Sequence, residues 1–475
     1  MAGPPDAKHN DEAGAKPVSR LSKAGSVIRG VAVDVSPLRA SRDFRLLWFG
    51  QIVSLTGRYI TLVALPFQVF LLTRSSLAVG MIGLVELVPL IVFSILGSPI
   101  ADRVDRRLVI LFSEIGLAVT SALLLVGSLL GNPPLWYLYA VAGLQAGLFG
   151  INIPTRSAAV PSLVSRTDLP AALALNQVLY NGAMVIGPAV GGVILARLGL
   201  TWAYGIDVLT YSASIATALL LRAMPPERDP TDEPATGWKA VKEGFAYLRS
   251  RRVLIATFLI DLDAMIFGMP RAVFPALAVG VFEVGPEGLG LLYAAPAAGA
   301  LVGALTAGWV GRVRSQGRAV MWAVAGWGAA ITAFGLSGGV FWLALFFLAV
   351  AGAADVVSAV YRGTILQLSV PDSLRGRISA VHITVVTGGP RLGDVEAGAV
   401  ASLVSPTFSV VSGGLICLLG VAALARLYPE LRSYRAEEEP DADSVVPGSS
   451  QQASHDTDAD QHGDRDSDTH HDLSL

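Results

Sequence analysis

Ionisable side chains stand inside long apolar runs of the sequence, where a membrane protein must hold them away from water. Ten of them bear on function: Arg58, Glu86, Asp207, Asp261, Asp263, Arg271, Asp355, Arg391, Asp394 and Glu396. An ionisable residue at mid-bilayer costs at least about 2.5–3.5 kcal/mol and usually faces a cavity or a partner. Because burial disfavours a charged carboxylate, such a group could take a proton from one side of a membrane and release it on the other.

Two interpretations of these charges remain open. In the first, Asp261 or Asp355 carries a proton that is coupled to the movement of a cargo. In the second, the charges are buried ion pairs, with Asp355 bound to Arg58, or Asp394 bound to Arg391 three residues earlier on one helix face.

The runs that contain these residues have the length and composition of membrane spans. Hydrophobic residues make up 53% of the 475 and charged residues 15%, whereas a soluble chain carries about 25% charged residues. A helix of about 20 apolar residues crosses a bilayer. A single spanning segment must be helical, because only a helix pairs all of its backbone N–H and C=O groups within the segment. We therefore predict an all-α membrane protein with twelve transmembrane helices. The runs are 46–72, 77–100, 108–130, 135–154, 169–195, 201–221, 253–279, 289–310, 319–336, 340–368, 378–404 and 406–425.

The loops between the runs predict an orientation in a plasma membrane. Cytoplasmic loops collect Lys and Arg, and the basic residues fall almost wholly in one set of loops, which places both termini in the cytoplasm. Residues 1–36 are predicted to be a disordered arm, and residues 436–475 a disordered acidic tail with twelve acids against the single base Arg465. The basic loop residues are Arg103, Arg106, Arg107, Arg166, Arg222, Arg228, Lys239, Lys242, Arg249, Arg251, Arg252, Arg312, Arg314, Arg318, Arg375 and Arg377, against Arg74 and Arg197 in the other loops.

The two halves of the chain resemble each other. Gly187-Pro188 and Gly191-Gly192 in the fifth run correspond to Gly389-Pro390 and Gly393-Asp394 in the eleventh, 202 residues later. Thr155-Arg156 after the fourth run is matched by Tyr361-Arg362 in the tenth. Such parallel repeats are typical of two-lobed transporters. We predict two pseudo-symmetric six-helix lobes, 37–222 and 253–428, joined by a cytoplasmic linker, 223–252, whose amphipathic part lies on the membrane surface.

The short turn after the second run has a recognisable form. It contains Gly97-Ser98-Pro99-Ile100-Ala101-Asp102-Arg103-Val104-Asp105-Arg106-Arg107. This stretch resembles the signature between the second and third helices of the major facilitator superfamily, although Asp105 stands where that family usually has Gly. The resemblance implies the major facilitator fold, and a monomer is usual for that family.

Later segments narrow the resemblance to the enterobactin-exporter branch of that superfamily. Four stretches carry it: Phe274-Pro275-Ala276-Leu277-Ala278, Gly290-Leu291-Leu292-Tyr293-Ala294-Ala295, Gly299 to Thr306, and Pro371 with Arg375-Gly376-Arg377-Ile378. The resemblance covers about residues 37–428. It implies a proton-driven exporter, with siderophores as the cargo of the namesake.

The resemblance also proposes roles for individual residues. The first, fourth, seventh and tenth helices line the central path, which makes Arg58, Asp261 or Asp263, Arg271 and Asp355 cavity candidates, together with Arg391 and Asp394. The Gly187, Pro188, Gly191 and Gly192 group resembles half of an antiporter motif, but Ala183 replaces its upstream Gly, and ordinary helix packing explains it equally well.

A cytoplasmic gate is a further expectation from the resemblance. Asp102 would sit at the positive N-terminal end of the eleventh helix, with Arg103, Arg106, Arg107 and Arg156 in the same network. The alternative is that these charges only orient the protein. Glu86 and Asp207 are expected to serve helix packing, and Glu114 to meet a basic loop residue.

Other function classes lack the residues they need. The chain has no Gly-x-x-x-x-Gly-Lys-Ser/Thr phosphate loop of a primary pump, and His382 is the only His between residues 10 and 454, against a metalloenzyme. We predict proton-coupled export of a small molecule, either a siderophore-like metabolite or a drug. A general multidrug exporter and a non-transporting membrane sensor remain alternatives. No cofactor, metal or nucleic acid is expected, although the tail residues His455, His462, His470 and His471 could bind a metal weakly.

Overall fold

The computed structural model describes residues 34–101, 103–225 and 237–435, and twelve long helices fill most of them. In chain order these are α1 (Arg42–Thr73), α2 (Ser76–Ala101), α3 (Arg106–Leu129), α4 (Leu135–Leu163), α5 (Leu169–Leu198), α6 (Leu200–Leu220), α7 in two pieces (α7a, Arg252–Phe267; α7b, Phe274–Gly280), α8 (Gly285–Thr306), α9 (Gln316–Gly335), α10 (Phe341–Ser369), α11 (Asp372–Leu403) and α12 (Pro406–Leu427). A linker helix (Gly237–Ser250), short helices at Ser36–Ala40 and Pro429–Ser433, and 3₁₀ turns at Arg271–Val273 and Ala307–Arg312 complete the chain.

The helices have the character of membrane spans. Nine of those in the described part of the chain are long and apolar enough to cross a bilayer. The other three, α4, α9 and α11, hold more Gly or polar residues. Large apolar side chains such as Trp322, Phe112 and Leu403 are 66–84% exposed, as expected of a surface that faces lipid. Each predicted run matches one of the twelve helices to within a few residues at its ends, except at the end of α4, and the seventh run matches α7 in its two pieces. This confirms the all-α membrane fold.

Local sequence explains where several helices begin and end. Ser41 and Ser405 cap α1 and α12, each accepting a hydrogen bond at its hydroxyl from a backbone N–H three residues on, at 3.1 Å. Arg74 ends α1 in the left-handed region at φ 52°, so that the chain turns back within two residues into α2.

The fourth span is longer than its sequence predicts. The apolar run ends at residue 154, whereas α4 continues to Leu163 through Pro154 and Pro161. Prolines are tolerated inside a spanning helix where neighbouring groups satisfy the freed carbonyls. As a result Arg156 lies within a helix and not in a loop.

The seventh span is broken at Gly268-Met269-Pro270. Helix α7a stops at Phe267, and a 3₁₀ turn leads into α7b. The indole N–H of Trp327 donates to the Gly268 carbonyl at 2.9 Å, and a Cβ at Gly268 would overlap that indole. The indole therefore satisfies a carbonyl at the end of α7a that has no helical partner.

The six helices before the linker helix and the six after it form two lobes that touch along two seams. Helix α2 packs against α11, and α5 packs against α8. Side chains at Gly80 or Gly192 would collide with the main chain at Asp394 and Gly290 respectively, so the small residues let the helices approach closely. Both contacts lie toward the distal end of the bundle, opposite the terminal end where α1 begins and α12 ends.

The apolar core also joins the two lobes at the distal end and not at the terminal end. One cluster joins the distal half of α1, including Ile60, Val63 and Phe70, to α7b and α8 of the second lobe. At the terminal end, separate clusters surround Phe44 in the first lobe and Phe258 in the second. The lobes are thus packed together distally and have separate cores at the terminal end.

The glycine repeat occupies corresponding places in the two lobes. Gly187 and Gly191 of α5 lie against Tyr59 and Ile60 of α1, where an added Cβ would be closer than van der Waals contact. Gly389 and Gly393 of α11 lie in the same way against Met265 and Ile266 of α7a. The sequence echo therefore corresponds to a repeated helix pairing, which supports the predicted pseudo-symmetry.

The linker helix is present where an amphipathic segment is predicted. Phe245 is exposed, whereas Leu248 is buried against Leu254, Phe258 and Ile378. One face of this helix thus packs on the second lobe, and the other is free to meet the membrane surface. Pro226, Pro230 and Pro234 of the predicted linker, together with the N-terminal arm before residue 34 and the acidic tail, lie outside the described residues.

Close packing of α8 on α10 gives a test of this fold. A Cβ at Gly352 would overlap the Pro296 carbonyl, whereas one at Gly363, on the same helix, would meet open space. We expect Gly352→Ala to lower the free energy of unfolding by about 1–3 kcal/mol through overpacking. Gly363→Ala should leave it unchanged or raise it by up to about 1 kcal/mol through helix propensity. Thermal unfolding is followed by labelling Cys417, the single, buried cysteine, with a thiol-reactive dye; equal melting of the two variants would contradict the packing.

Candidate functional site

A polar cavity of about 130 Å³ lies between the lobes, near the middle of the spans. Helices α1, α2, α4, α8 and α11 and the 3₁₀ turn within α7 surround it. Its charged and phenolic lining comes from Arg58, Glu86, Arg271, Tyr293, Arg391 and Asp394. Of the predicted cavity residues, the structure brings Arg58, Arg271, Arg391 and Asp394 together here.

Two ion pairs cross this cavity. A guanidinium nitrogen of Arg271 lies 3.1 Å from Asp394 Oδ2, within the second lobe. Arg391 lies 3.4 Å from Glu86 Oε2 and thereby joins the second lobe to the first. Arg391 also donates to the Thr387 carbonyl at 2.9 Å. The alternative pairing of Asp394 with Arg391 is therefore wrong in this structure, and Glu86 lines the cavity as well as packing a helix.

Arg58 has an aromatic neighbour in place of a carboxylate. Its guanidinium carbon lies 3.2 Å from the centre of the Phe149 ring, a cation–π contact. The expected pair between Arg58 and Asp355 is absent among the described residues, because Asp355 lies in the second lobe against Arg362. Arg58 also borders a smaller cavity formed by Tyr180, Asn152 and other residues of the first lobe.

A second charge cluster lies between α7a and α10. Arg362 is 2.9 Å from Asp261 Oδ1 and 3.6 Å from Asp355 Oδ1, and it donates to the Ser358 hydroxyl at 2.9 Å. The Asp261 side chain is 3% exposed and that of Asp355 is 44% exposed. The two carboxylates thus share one arginine while differing in how much of each side chain is exposed.

The sequence interpretation missed Arg362 as the partner in this cluster. The available signal was the correspondence of Tyr361-Arg362 with Thr155-Arg156 in the other half. An arginine at the same place in both repeats suggests a shared role, and each of the two arginines is buried against a carboxylate.

Asp263 lies away from both clusters. A Cβ at Gly420 of α12 would overlap the Asp263 carboxylate, so this side chain faces the packing between α7a and α12. Residues two apart on a helix point in different directions, and Asp261 takes the direction toward α10. The prediction of Asp263 as a cavity residue is therefore wrong for this structure.

Arg156 is buried in the first lobe. Its guanidinium lies 2.7 Å from Glu114 Oε1 and donates to Ser214 at 3.1 Å and to the Asn152 side-chain oxygen at 3.0 Å. The Asn152 amide also donates to Glu114 at 3.0 Å. The expectation that Glu114 meets a loop base is wrong, because the longer α4 carries its partner inside the lobe.

Asp207 is fully buried at the centre of the first lobe. It accepts hydrogen bonds from Thr61 at 2.6 Å and Ser121 at 2.7 Å. These contacts tie α6 to α1 and α3, in agreement with the packing role expected for Asp207.

The loop after α2 anchors the first lobe. Arg107 donates to the carbonyls of Ala218 and Leu219 at the end of α6, and Arg106 donates to the Ala158 carbonyl of α4. Basic side chains satisfy free carbonyls and favour the negative end of a helix. Arg103 is exposed, and Asp102, the centre of the expected gate, lies outside the described residues.

Metal ligands do not gather in the part of the chain that the structure describes. No group of three or more His, Cys, Asp or Glu side chains there is placed to hold an ion. His382 instead packs edge-on against Phe258.

Comparison with known proteins identifies the kind of protein. A family profile described as "Transmembrane secretion effector" matches residues 32–457. The enterobactin exporter EntS of Citrobacter koseri is 29% identical over 405 residues, which cover 85% of this chain and 96% of that protein. EntS of Shigella boydii is also 29% identical, over 409 residues, with the same coverage.

Solved structures show the same fold at low sequence identity. A POT family transporter in complex with 5-aminolevulinic acid matches with a TM-score of 0.66 and 12% identity, over 82% of this chain and 97% of that one. The nucleoside transporter NupG matches with a TM-score of 0.63 and 14% identity, over 83% and 100%. These neighbours confirm the fold of two six-helix lobes.

The Glu114–Arg156 pair provides a test of the first lobe. We expect Arg156→Gln to destabilise the protein by about 3–5 kcal/mol, because it leaves a buried carboxylate without its partner. The double variant Glu114→Gln with Arg156→Gln should recover most of that loss, since neither charge then remains. Thermal labelling of Cys417 compares the double variant and each single variant, Arg156→Gln and Glu114→Gln, with the wild type. A double variant as unstable as the sum of the two single variants would contradict the pairing.

Proposed function

Because the chain belongs to the transmembrane secretion effector family of the major facilitator superfamily, we propose that it is a proton-coupled exporter of a small molecule that works by alternating access. It is a multi-pass membrane protein of the transporter class. The observation that carries the proposal is the charged cavity enclosed between two lobes whose seams run from α2 to α11 and from α5 to α8.

The cargo class and direction follow from the relatives. The similar proteins are enterobactin exporters, and the similarity covers 85% of this chain. This favours export of a siderophore-like metabolite. A general multidrug or metabolite exporter uses the same fold and remains the alternative, and a non-transporting sensor would keep the fold without flux.

Alternating access requires contacts between the lobes that break and re-form. Glu86–Arg391 is one such contact, and Arg197–Glu287, at 2.9 Å between the distal ends of α5 and α8, is another. Arg197–Glu287 closes the distal end, and Glu86–Arg391 joins the lobes at the cavity. With the termini in the cytoplasm, as the basic loops favour, this conformation is closed to the outside. Rocking the lobes would part these pairs and open the cavity outward.

The Asp261–Arg362–Asp355 cluster suits proton coupling. When Asp261 is ionised it holds Arg362 at 2.9 Å. Protonation removes that charge and releases Arg362 toward Asp355, the carboxylate that solvent reaches more easily. The cluster would then exchange a proton as the lobes move, because its ion pair differs between the two protonation states.

A cytoplasmic gate completes the proposal. Asp102 would meet the N-terminal end of α11 when the terminal end closes, as the family resemblance implies. Arg103 is exposed and free to join it, whereas Arg106, Arg107 and Arg156 would act by holding α3, α4 and α6 in place. The motif residues Gly187, Pro188, Gly191 and Gly192 would let α5 slide on α1 and α8, since the three glycines bring no side chain of their own to the contact.

Metabolite profiling tests cargo and direction together. Culture medium from cells with and without the gene is compared under iron-rich and iron-starved growth. We expect a secreted siderophore to disappear from the medium and accumulate inside the cells when the gene is deleted. An unchanged medium under both conditions would contradict siderophore export. A different compound lost from the medium would favour the general exporter.

Vesicles test the coupling residues. We expect Asp261→Asn and Asp355→Asn each to lower proton-coupled export of the identified metabolite to the level of vesicles without the protein, since neither asparagine can bind the proton. Asp263→Asn is the matched control on the same helix, because Asp263 faces α12. Export and proton release are measured together with an internal pH dye. Wild-type coupling in both Asp261→Asn and Asp355→Asn would exclude this cluster.

A further inference from the structure

The charges that line the central cavity do not balance. Three guanidinium groups, those of Arg58, Arg271 and Arg391, face two carboxylates, those of Glu86 and Asp394. Arg271 and Arg391 each have a carboxylate within 3.4 Å. No carboxylate of the described residues forms an ion pair with Arg58.

An arginine without a partner at this depth is costly, so the cavity must offer it some compensation. The Phe149 ring provides part of it, at 3.2 Å from the guanidinium carbon, but a ring carries no net charge. The carboxylate of Asp207 is in the same lobe. It is not part of the cavity lining, however, its Oδ2 accepts hydrogen bonds from Thr61 and Ser121, and it forms no ion pair with Arg58 in the described structure.

The rest of the cavity wall defines the body of a ligand. Leu62, Leu65, Val79 and Ile82 form an apolar side beside the charged one. The volume of about 130 Å³ is close to the about 150 Å³ of an apolar cavity that holds benzene. A ring-sized apolar group with one charged substituent matches both the shape and the two kinds of lining.

We infer that Arg58 binds the negatively charged group of the cargo, and that the cargo is an organic anion whose apolar body packs against α1 and α2. This inference rests on the proposed function in one respect: it takes the central cavity as the cargo site. A carboxylate or phenolate at Arg58 supplies the missing negative charge and accepts charge-assisted hydrogen bonds from the guanidinium. The bound anion would also lie between the two ion pairs, next to the contact of Arg391 with Glu86 that joins the lobes.

Binding of small probes tests this inference without transport. Purified full-length protein in lipid nanodiscs is titrated with radiolabelled benzoate and with radiolabelled benzamide, which has the same ring but no charge. We expect benzoate to bind about tenfold more tightly or better, as charge-assisted hydrogen bonds are stronger than neutral ones. Arg58→Gln should remove the preference and keep the benzamide affinity, which also shows that the variant is folded. Arg58→Lys should keep part of the preference.

The matched control is Arg74→Gln, a change at an exposed arginine at the end of the same helix, which should keep the full preference. Radiolabelled chloride is the third probe. Three results would overturn the inference. The first is equal binding of benzoate and benzamide, and the second is a preference for benzoate that survives Arg58→Gln. The third is chloride binding that depends on Arg58 in a protein that does not bind benzoate. If the protein prefers benzoate but exports nothing, the inference about Arg58 stands and the proposed function is refuted. If the protein exports a metabolite but shows no preference for benzoate, the proposed function stands and the inference about Arg58 is refuted.

Discussion

The cost of a charge inside a bilayer governs this structure. Lipid offers neither water nor counter-ions, so each ionisable side chain within the spans needs protein neighbours. The chain meets this requirement with small local networks, one around Arg156 in the first lobe, one around Arg362 in the second, and one across the central cavity. Of these three networks, only the one across the central cavity joins the two lobes. The ion pair between the lobes therefore lies at the site where a cargo would bind.

The repeat explains how that central network arises. Helices α5 and α11 share the same glycine packing against α1 and α7a, but they differ at the seam with the other lobe. The positions of Ala189 and Gly192 in α5 correspond to Arg391 and Asp394 in α11. At these two positions the first lobe presents small residues to α8, whereas the second presents charges to α2 and the cavity. These two differences between the repeats contribute to the asymmetry of the site.

Helix breaks and glycines together make motion between the lobes feasible. At the seams, backbone meets backbone at Gly80 and Gly192, so few interlocked side chains resist sliding. The break in α7 places Arg271 at the cavity and leaves α7b as a short separate helix beside α1. The buried networks hold each lobe together, whereas few interlocked side chains join one lobe to the other.

The sequence by itself determined the class of the protein, since twelve apolar runs, a charge pattern and a signature turn are local features that survive without tertiary contacts. The break at Gly268-Met269-Pro270 is likewise a local feature, because proline acts on its own helix. Only the tertiary structure decided which charged side chains pair with each other. Asp261 meets Arg362, Arg391 meets Glu86, and Glu114 meets Arg156, and each pair depends on which faces of distant helices turn toward each other. Spacing along the chain identifies neighbours on one helix, as in the expected Asp394–Arg391 pair, but the angle and register between helices select the partner.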